Sequence, residues 1–254
     1  MKKKLNLLNN PLFMINQFRI PLLTILFCLV GTFSSLAQTE QQIQETDSLP
    51  IDNRYREDQF YVGISYNVPL NVPNGVSILG VSGGVFAGFL RDMPVNEQRN
   101  IAIAVGAGIS FDQYGQNLFI QKRNTNSTLF EVLDDDRDFN SNRLAVYTVE
   151  LPIEFRWRTS TSAYNKFWRI YGGVRFGYSY YHKSKLKESG NTITTTEIPE
   201  FEKFRVGLTL SMGYSTFNFY GYYGLNPFFP DGRTEDGQAV NFQALKLGLI
   251  FYIL

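Results

Sequence analysis

Six charged side chains lie on two neighbouring segments of the chain, and their spacing limits the chemistry they can do. They are Glu150, Glu154, Arg156, Arg158, Arg169 and Arg175. The first four have even numbers and the last two have odd numbers. Successive side chains of an extended strand point to opposite sides, so residues of one parity share a face. If the two segments form a hairpin, these carboxylates and guanidiniums can form charge-assisted hydrogen bonds across it.

Two interpretations of this set of charges are open. The charges can form an ion-pair network that fills a narrow barrel, because a charge in a low-dielectric lumen is costly unless it is paired. They can instead line a pore as a selectivity filter. A barrel of about eight strands has room for side chains and not for an aqueous channel. We therefore favour the ion-pair network.

A second constellation contains His182, the only histidine, and Ser184 two residues later. Outer-membrane lipid A deacylases use a His-x-Ser pair with a glutamate, for which this chain offers Glu188 and Glu202. A serine needs an adjacent base and an orienting group to become a nucleophile. The surrounding residues do not match those enzymes, and a motif requires its context. An ordinary histidine at the rim of a barrel is the favoured interpretation.

An acidic segment, residues 134–142, carries oxygen-bearing side chains at alternate positions, as calcium loops do. It lacks the glycine at the sixth position and the distal bidentate glutamate of an EF-hand. A solvated acidic loop is favoured over a calcium site. Cys28 is the only cysteine and lies in the apolar N-terminal region, so no thiolate metal site is predicted for the rest of the chain. No cofactor is expected.

The elements that must position these side chains are extended strands. Between residues 144 and 158 every second side chain is apolar, which is the period of a strand with one apolar face. Similar alternation recurs along the chain. The predicted strands cover about residues 60–70, 76–90, 101–111, 144–158, 168–182, 203–214, 217–226 and 245–254.

Several features favour a transmembrane barrel over a soluble sandwich. The polar faces are rich in Gly, Ser and Tyr rather than in Lys and Glu, and aromatic residues make up 15% of the chain. Short and long connections alternate, as in outer-membrane barrels, and the longest are predicted over 112–143 and 183–202. Trp157 and Trp168 flank one short turn on the outward face, where an aromatic girdle would lie.

The N-terminal region has the features of an export signal. Lys2, Lys3 and Lys4 precede an apolar stretch over 20–33, and Ser35-Leu36-Ala37 is a small-x-small cleavage site. We predict a signal peptide over 1–37, a flexible periplasmic lead over 38–58 and a barrel over 59–254. A single anchor helix is the alternative for the first segment. Removing four basic residues from 24 leaves 20 against 23 acidic ones, which excludes a strongly basic nucleic-acid footprint.

The segments 150–158 and 167–173 resemble those of a known family. They are similar to the small outer-membrane β-barrel domain common in Bacteroidota, described as porin-like or PorT-like. The resemblance covers about residues 58–254 and is carried by fold-level motifs. It implies a location in the outer membrane of a Gram-negative-type bacterium and no transferable catalytic residue. Some relatives serve the type IX secretion and gliding machinery.

The sequence therefore predicts an all-β protein, an eight-stranded antiparallel transmembrane β-barrel of the up-and-down meander type. We expect a non-enzymatic structural or docking role that supports protein secretion or cell-surface assembly, with the partner bound through the long loops. A small diffusion channel is the alternative, and a lipid A-modifying enzyme is a lesser one. The expected lipid partners are outer-membrane lipid and lipopolysaccharide, whose phosphates Lys183 and Lys185 are suited to bind.

Overall fold

The computed structural model describes residues 59–124, 127–134, 137–159 and 168–253. The predicted signal peptide (1–37) and the whole of the predicted lead (38–58) lie outside them. Within the described residues no helix is long and apolar enough to cross a membrane. The elements are β1 (Gln59–Leu70), β2 (Gly83–Pro94), β3 (Ile101–Gly115), β4 (Leu118–Asn124), β5 (Ser127–Val132), β6 (Phe139–Arg158), β7 (Trp168–Glu188), β8 (Asn191–Thr195), β9 (Phe204–Tyr214), β10 (Phe217–Gly224) and β11 (Gln243–Ile253).

Eight of these strands form a closed antiparallel barrel. The pairing runs β6-β3-β2-β1-β11-β10-β9-β7, and β6 pairs with β7 to complete the ring. Each barrel strand lies beside the barrel strands that precede and follow it in the chain, and β1 pairs with β11. The predicted eight-stranded up-and-down meander is confirmed.

The faces of the strands alternate as a membrane barrel requires. Along the second half of β6, Leu151, Ile153 and Phe155 are exposed on the outside, whereas Glu150 and Glu154 are buried in the lumen. The same alternation, apolar outside and buried polar or aromatic inside, continues around the ring. A lipid-facing outer surface explains why so many large apolar side chains are exposed.

The two ends of the barrel differ in their connections. At one end, here the turn end, residues 95–100 and 215–216 join successive strands. At the other, the loop end, the connections are 71–82, 116–138, 189–203 and 225–242. The second of these contains the β4–β5 hairpin, and the third contains β8, which pairs with the far part of β7.

Some predicted strand bounds were wrong. The second strand begins at Gly83 and not at 76, because Asn71, Gly75 and Gly80 adopt positive φ and turn the chain. The long connections are shorter than predicted, since β3 continues to Gly115 and β7 to Glu188. The outward residues of those extensions, such as Gln113 and Lys185, are polar, so the outward apolar alternation ends although the strand pairing does not.

Side chains from the loop end form a buried cluster over the mouth of the barrel, which we call the aromatic cap. Its rings are Tyr114, Phe201, Phe228, Phe229 and Phe242. The ring of Phe242 lies 5.1 Å from that of Tyr114 and 5.0 Å from that of Phe228, in edge-to-face contacts. The cap joins the connections after β7 and β10 to the end of β3.

Candidate functional site: the charged lumen and its cap

The layer of the lumen nearest the turn end is built around two arginines. Arg156 donates to Asp92 at 3.1 Å and, through Nε, to Glu154 at 3.2 Å. Arg158 donates to Asp92 at 2.9 Å and to the backbone oxygen of Arg99 at 2.9 Å. Both guanidiniums are fully buried, so each ion pair is screened little by solvent.

Asp92, which holds this layer together, was not among the predicted site residues. The second strand was predicted to end at residue 90, but β2 continues to Pro94. The numbering of β2 contained the signal: Phe86, Leu90 and Asp92 all have even numbers, so they share one face of the strand, and all three are buried on the inner face. The apolar alternation hid it, since Arg91 interrupts the apolar outward residues next to Asp92.

The middle layer contains one ion pair across the β6–β7 hairpin. Arg175 donates to Glu150 at 2.9 Å. Its guanidinium also lies 5.4–5.5 Å from the rings of Tyr61, Phe86 and Tyr220, within the range of cation–π attraction. Glu150 and Arg175 therefore meet across the hairpin, as predicted from the shared inward face of the two strands.

Arg169, the remaining arginine of the predicted set, reaches the turn end of the barrel. It donates to the backbone oxygen of Ser215 at 2.6 Å, in the turn between β9 and β10, and lies 5.9 Å from the ring of Tyr252. Arg169 is inward-facing and buried, but it lies at the rim of the turn end. Carbonyl oxygens of the turn are within its reach there.

A third layer lies nearer the loop end and was missed by the sequence analysis. Lys246 donates to Asp112, which also accepts from Asn67 and Ser110 at 3.1 Å each. The ammonium of Lys246 lies 4.8 Å from the ring of Tyr222. Asp112 had been assigned to a loop, and its partner is on the last strand of the chain, so sequence proximity gave no indication of the pair.

A small cavity lies between the middle layer and the loop-end layer. This cavity, beside Asp112, Glu150 and Lys246, has a volume of about 20 Å³, enough for about one water molecule. Tyr61 reaches across the lumen over Gly88 and Gly108, where an added Cβ would lie 2.4 and 2.1 Å from its hydroxyl. Glycine at these two positions is what admits the tyrosine ring.

Arg205 connects the lumen to the aromatic cap. It donates to the backbone oxygen of Pro227 at 3.0 Å and to that of Asn226, and more weakly to that of Glu202 at 3.3 Å. Its guanidinium lies 4.1 Å from the ring of Phe228. This single buried side chain at the start of β9 thus joins the connection that precedes β9 to the connection that follows β10.

Ion pairs at the surface join the same connections to one another. Lys122 and Arg123 of β4 pair with Glu197 and Glu235 of the two later connections. Thr128 of β5 donates its backbone N–H to Glu200 at 2.9 Å. The hydrogen bond from Lys122, and then its positive charge, lower the pKa of Glu197. The hairpin is therefore held to both neighbouring connections.

The predicted rim pair does not have the geometry of a catalytic triad. His182 stacks on Phe201 with ring centroids 4.0 Å apart, and Ser184 is buried without a hydrogen bond to it in the described residues. Glu188 accepts from Arg137 at 2.8 Å, and Glu202 accepts from the N–H of Phe204. Both glutamates are engaged away from the pair.

The predicted acidic loop, 134–142, is described only in part, since 135 and 136 lie outside the described residues. Phe139 begins β6, so the second half of the segment is strand. Among the described residues no group of three or more acidic, histidine or cysteine side chains could hold a metal ion. The solvated acidic loop therefore remains a prediction, with a calcium site as its untested alternative.

The two tryptophans lie outside the barrel at the turn end. Trp157 is paired with Ile170, and Trp168 contacts Tyr214 edge-to-face at 5.7 Å. Both are exposed on the outward face. This is the position that an aromatic girdle at a membrane interface requires.

A closed barrel with an apolar exterior, a charged packed interior and unequal ends is the architecture of an outer-membrane β-barrel. A family model described as outer membrane protein beta-barrel domain matches residues 36–230, and the chain belongs to that family. The match ends before β11, the strand that closes the ring with β1. The protein is therefore an outer-membrane barrel protein.

Other comparisons add little. None of the curated proteins matches this chain. A solved structure titled "Asymmetric conductivity of engineered proteins" aligns with 78% of this chain and 99% of its own, at 7% sequence identity and a TM-score of 0.19. A likeness this slight carries no argument about structure or function.

Proposed function

We propose that this protein is a closed, non-enzymatic outer-membrane barrel that holds a folded layer of connections at the cell surface as a docking platform for a protein partner. The observation that carries the proposal is the aromatic cap. Connections this long are usually functional or disordered, and here they are fixed by buried rings, Arg205 and ion pairs. A fixed surface can bind a partner with little loss of conformational entropy.

The interior supports a closed barrel over a diffusion channel. Ion pairs fill the turn-end and middle layers, and the cap covers the opposite mouth. A narrow eight-stranded barrel leaves no room for an aqueous path beside such side chains. The geometry of His182 and Ser184 supports the absence of lipid A chemistry, and we expect His182→Ala to leave the lipid A mass spectrum unchanged.

The finer part of the proposal is that the partner belongs to protein-secretion or surface-assembly machinery, as the PorT-like resemblance implies. Export through the signal peptide, residues 1–37, belongs to the same proposal. N-terminal sequencing of the mature protein would test the export step, and we expect the first residue to be Gln38. An intact N-terminus would favour the anchor-helix alternative.

Site-specific photo-crosslinking in cells tests the docking role. A photoreactive amino acid at exposed Thr194 and at exposed Asp236 places a probe on each of two surface connections. The matched control is Phe219, which faces lipid. We expect one protein adduct of the same mass from both surface probes, absent from the control and reduced by Phe242→Ala. Adducts that also form at the control, or none at all, would contradict docking.

A further inference from the structure

Four basic side chains lie together on the outward face of the β6–β7 extension, and we call them the outer basic cluster. They are Arg143, Lys183, Lys185 and Lys187. Arg143 is directly opposite Lys185, and the positions opposite the other two lysines are Ala145 and Ser141. Like charges facing one another across a strand pair are destabilising, so this arrangement has a cost that the fold alone does not explain.

Within the described residues, no carboxylate is paired with this cluster. In the described part of the chain none of its four members forms an ion pair, whereas Lys122, Arg123 and Arg137 in the nearby connections all do. Arg143 makes only a long hydrogen bond, 3.4 Å, to Gln113. Partial desolvation and then the positive charges of the other three members lower the pKa of Lys185, which lies beyond the membrane-spanning part of β7.

The position of the cluster relative to the membrane follows from the aromatic residues below it. Tyr147 on β6 contacts Tyr180, Tyr181 and Phe111 with ring centroids 4.8–6.2 Å apart, all facing outward. Trp157 lies ten residues away on the same face of the same strand. At about 3.3 Å per residue and a tilt of roughly 40°, the two levels are about 25 Å apart, the height of the apolar band of such barrels.

The cluster therefore lies at the level of lipid headgroups. Lys183, Lys185 and Lys187 are two, four and six residues beyond Tyr181 along β7. The same geometry places them roughly 5–15 Å above the aromatic level, where the polar region of the outer leaflet begins. Their side chains emerge on the lipid side of the wall and not into the lumen, since His182, Ser184 and Leu186 between them are buried.

We propose that the outer basic cluster is a binding site for the phosphates of a lipid A-type glycolipid in the outer leaflet. Ammonium and guanidinium groups bind phosphate strongly, and four of them match a bisphosphorylated headgroup in charge. Soluble anions would satisfy the same charges. The lipid is favoured because the cluster lies on the lipid-facing wall directly above the aromatic level, with no pocket enclosing it among the described cavities.

Native mass spectrometry of the folded full-length barrel in detergent tests this site. The probes are bisphosphorylated lipid A, the same lipid without its phosphates, and inorganic phosphate. Each basic group near a lipid phosphate contributes about fivefold in affinity. We therefore expect Lys183→Gln, Lys185→Gln and Lys187→Gln together to weaken bisphosphorylated lipid A binding at least tenfold, and the three Lys→Arg changes to retain it.

Three results would overturn the proposal. The first is equal binding by the glutamine variant, the second is equal binding of the two lipids by the unchanged protein, and the third is competition by millimolar inorganic phosphate, which would indicate a soluble-anion site. Heat-dependent gel mobility shows whether each variant is folded. Arg91→Gln, which removes an outward-facing cation near the turn end of β2, at the opposite end of the barrel from the cluster, is a second control that we expect to bind normally.

Discussion

The lumen and the aromatic cap are both buried, yet they are stabilised in different ways. In the lumen, charged groups such as Asp92 and Arg156 meet in direct ion pairs. In the cap, rings such as Phe229 and Phe242 pack against one another, and ion pairs lie only at the surface. The lumen depends on each charge having its partner, because an unpaired buried charge is costly. The cap depends on apolar volume being filled.

This difference predicts two kinds of failure. Loss of one partner in the lumen should destabilise the whole barrel, since the charged groups bridge strands that are distant in the chain. Loss of one ring in the cap should loosen the surface connections while the barrel stays closed. The predictions that follow test this contrast, from the largest expected effect to the smallest.

Asp92→Ala should have the largest effect. It removes the carboxylate shared by Arg156 and Arg158, which are both fully buried. We expect the free energy of unfolding to fall by about 3–5 kcal/mol, measured by urea titration in lipid vesicles. Glu202→Ala, at a partly exposed carboxylate of the loop end, is the control. A loss below about 1 kcal/mol for Asp92→Ala would show that the ion pairs do not hold the lumen.

Phe242→Ala should act on the cap alone. The ring is fully buried against Tyr114 and Phe228, so its removal should cost about 3 kcal/mol locally. We expect faster trypsin cleavage in the connection 225–242, with unchanged heat-dependent gel mobility of the barrel. Phe219→Ala on the lipid-facing side is the matched control. If Phe242→Ala both speeds trypsin cleavage and abolishes the heat-dependent change in gel mobility, the cap and the barrel are not independent.

Lys246→Met should have an intermediate effect. Asp112 keeps hydrogen bonds from Asn67 and Ser110, so the free energy of unfolding should fall by only about 2 kcal/mol. Adding Asp112→Asn removes the remaining uncompensated charge and should restore part of that loss. Urea titration of the single and double variants measures both steps. A double variant less stable than Lys246→Met alone would be evidence against charge pairing as the cause.

Acidification should have the smallest effect, confined to the surface connections. The pKa of Glu197 is lower in the folded protein than in the unfolded chain. Its contact with Lys122 therefore contributes to folding stability at pH values above the pKa that Glu197 has in the unfolded chain. That contribution is lost as the pH falls through the lowered value. Hydrogen exchange of β8 should therefore accelerate at acidic pH, and Glu197→Gln should remove this dependence. If hydrogen exchange of β8 depends on pH equally in the unchanged protein and in Glu197→Gln, groups other than Glu197 cause the dependence.

The alternation of charged residues along the strands predicted part of the site, because alternate residues share a face and a hairpin pairs two consecutive strands. Glu150 and Arg175 are on consecutive barrel strands, and their pairing could be anticipated from spacing alone. Asp92 and Lys246 could not, since their partners lie on strands far away in the chain and depend on the relative register around the closed barrel. No short-range pattern encodes that register.

The closed barrel itself was predictable, because eight apolar faces with a period of two leave few alternatives. The cap was not. Its rings come from Phe201, Phe228 and other residues in segments that have no regular period, so their burial depends on how the connections meet. The only signal in the sequence is the pair of phenylalanines between Pro227 and Pro230, and it does not indicate where those rings pack.

Planar-bilayer recording tests the central claim, a barrel closed by its packed lumen and its cap. The refolded protein is inserted after heat-dependent gel mobility has shown that the barrel is formed. The structure predicts no conductance steps, for the unchanged protein and for Phe242→Ala alike, because the ion pairs of the lumen remain. Stable steps whose size changes on Arg175→Ala would contradict the closed lumen and establish a channel.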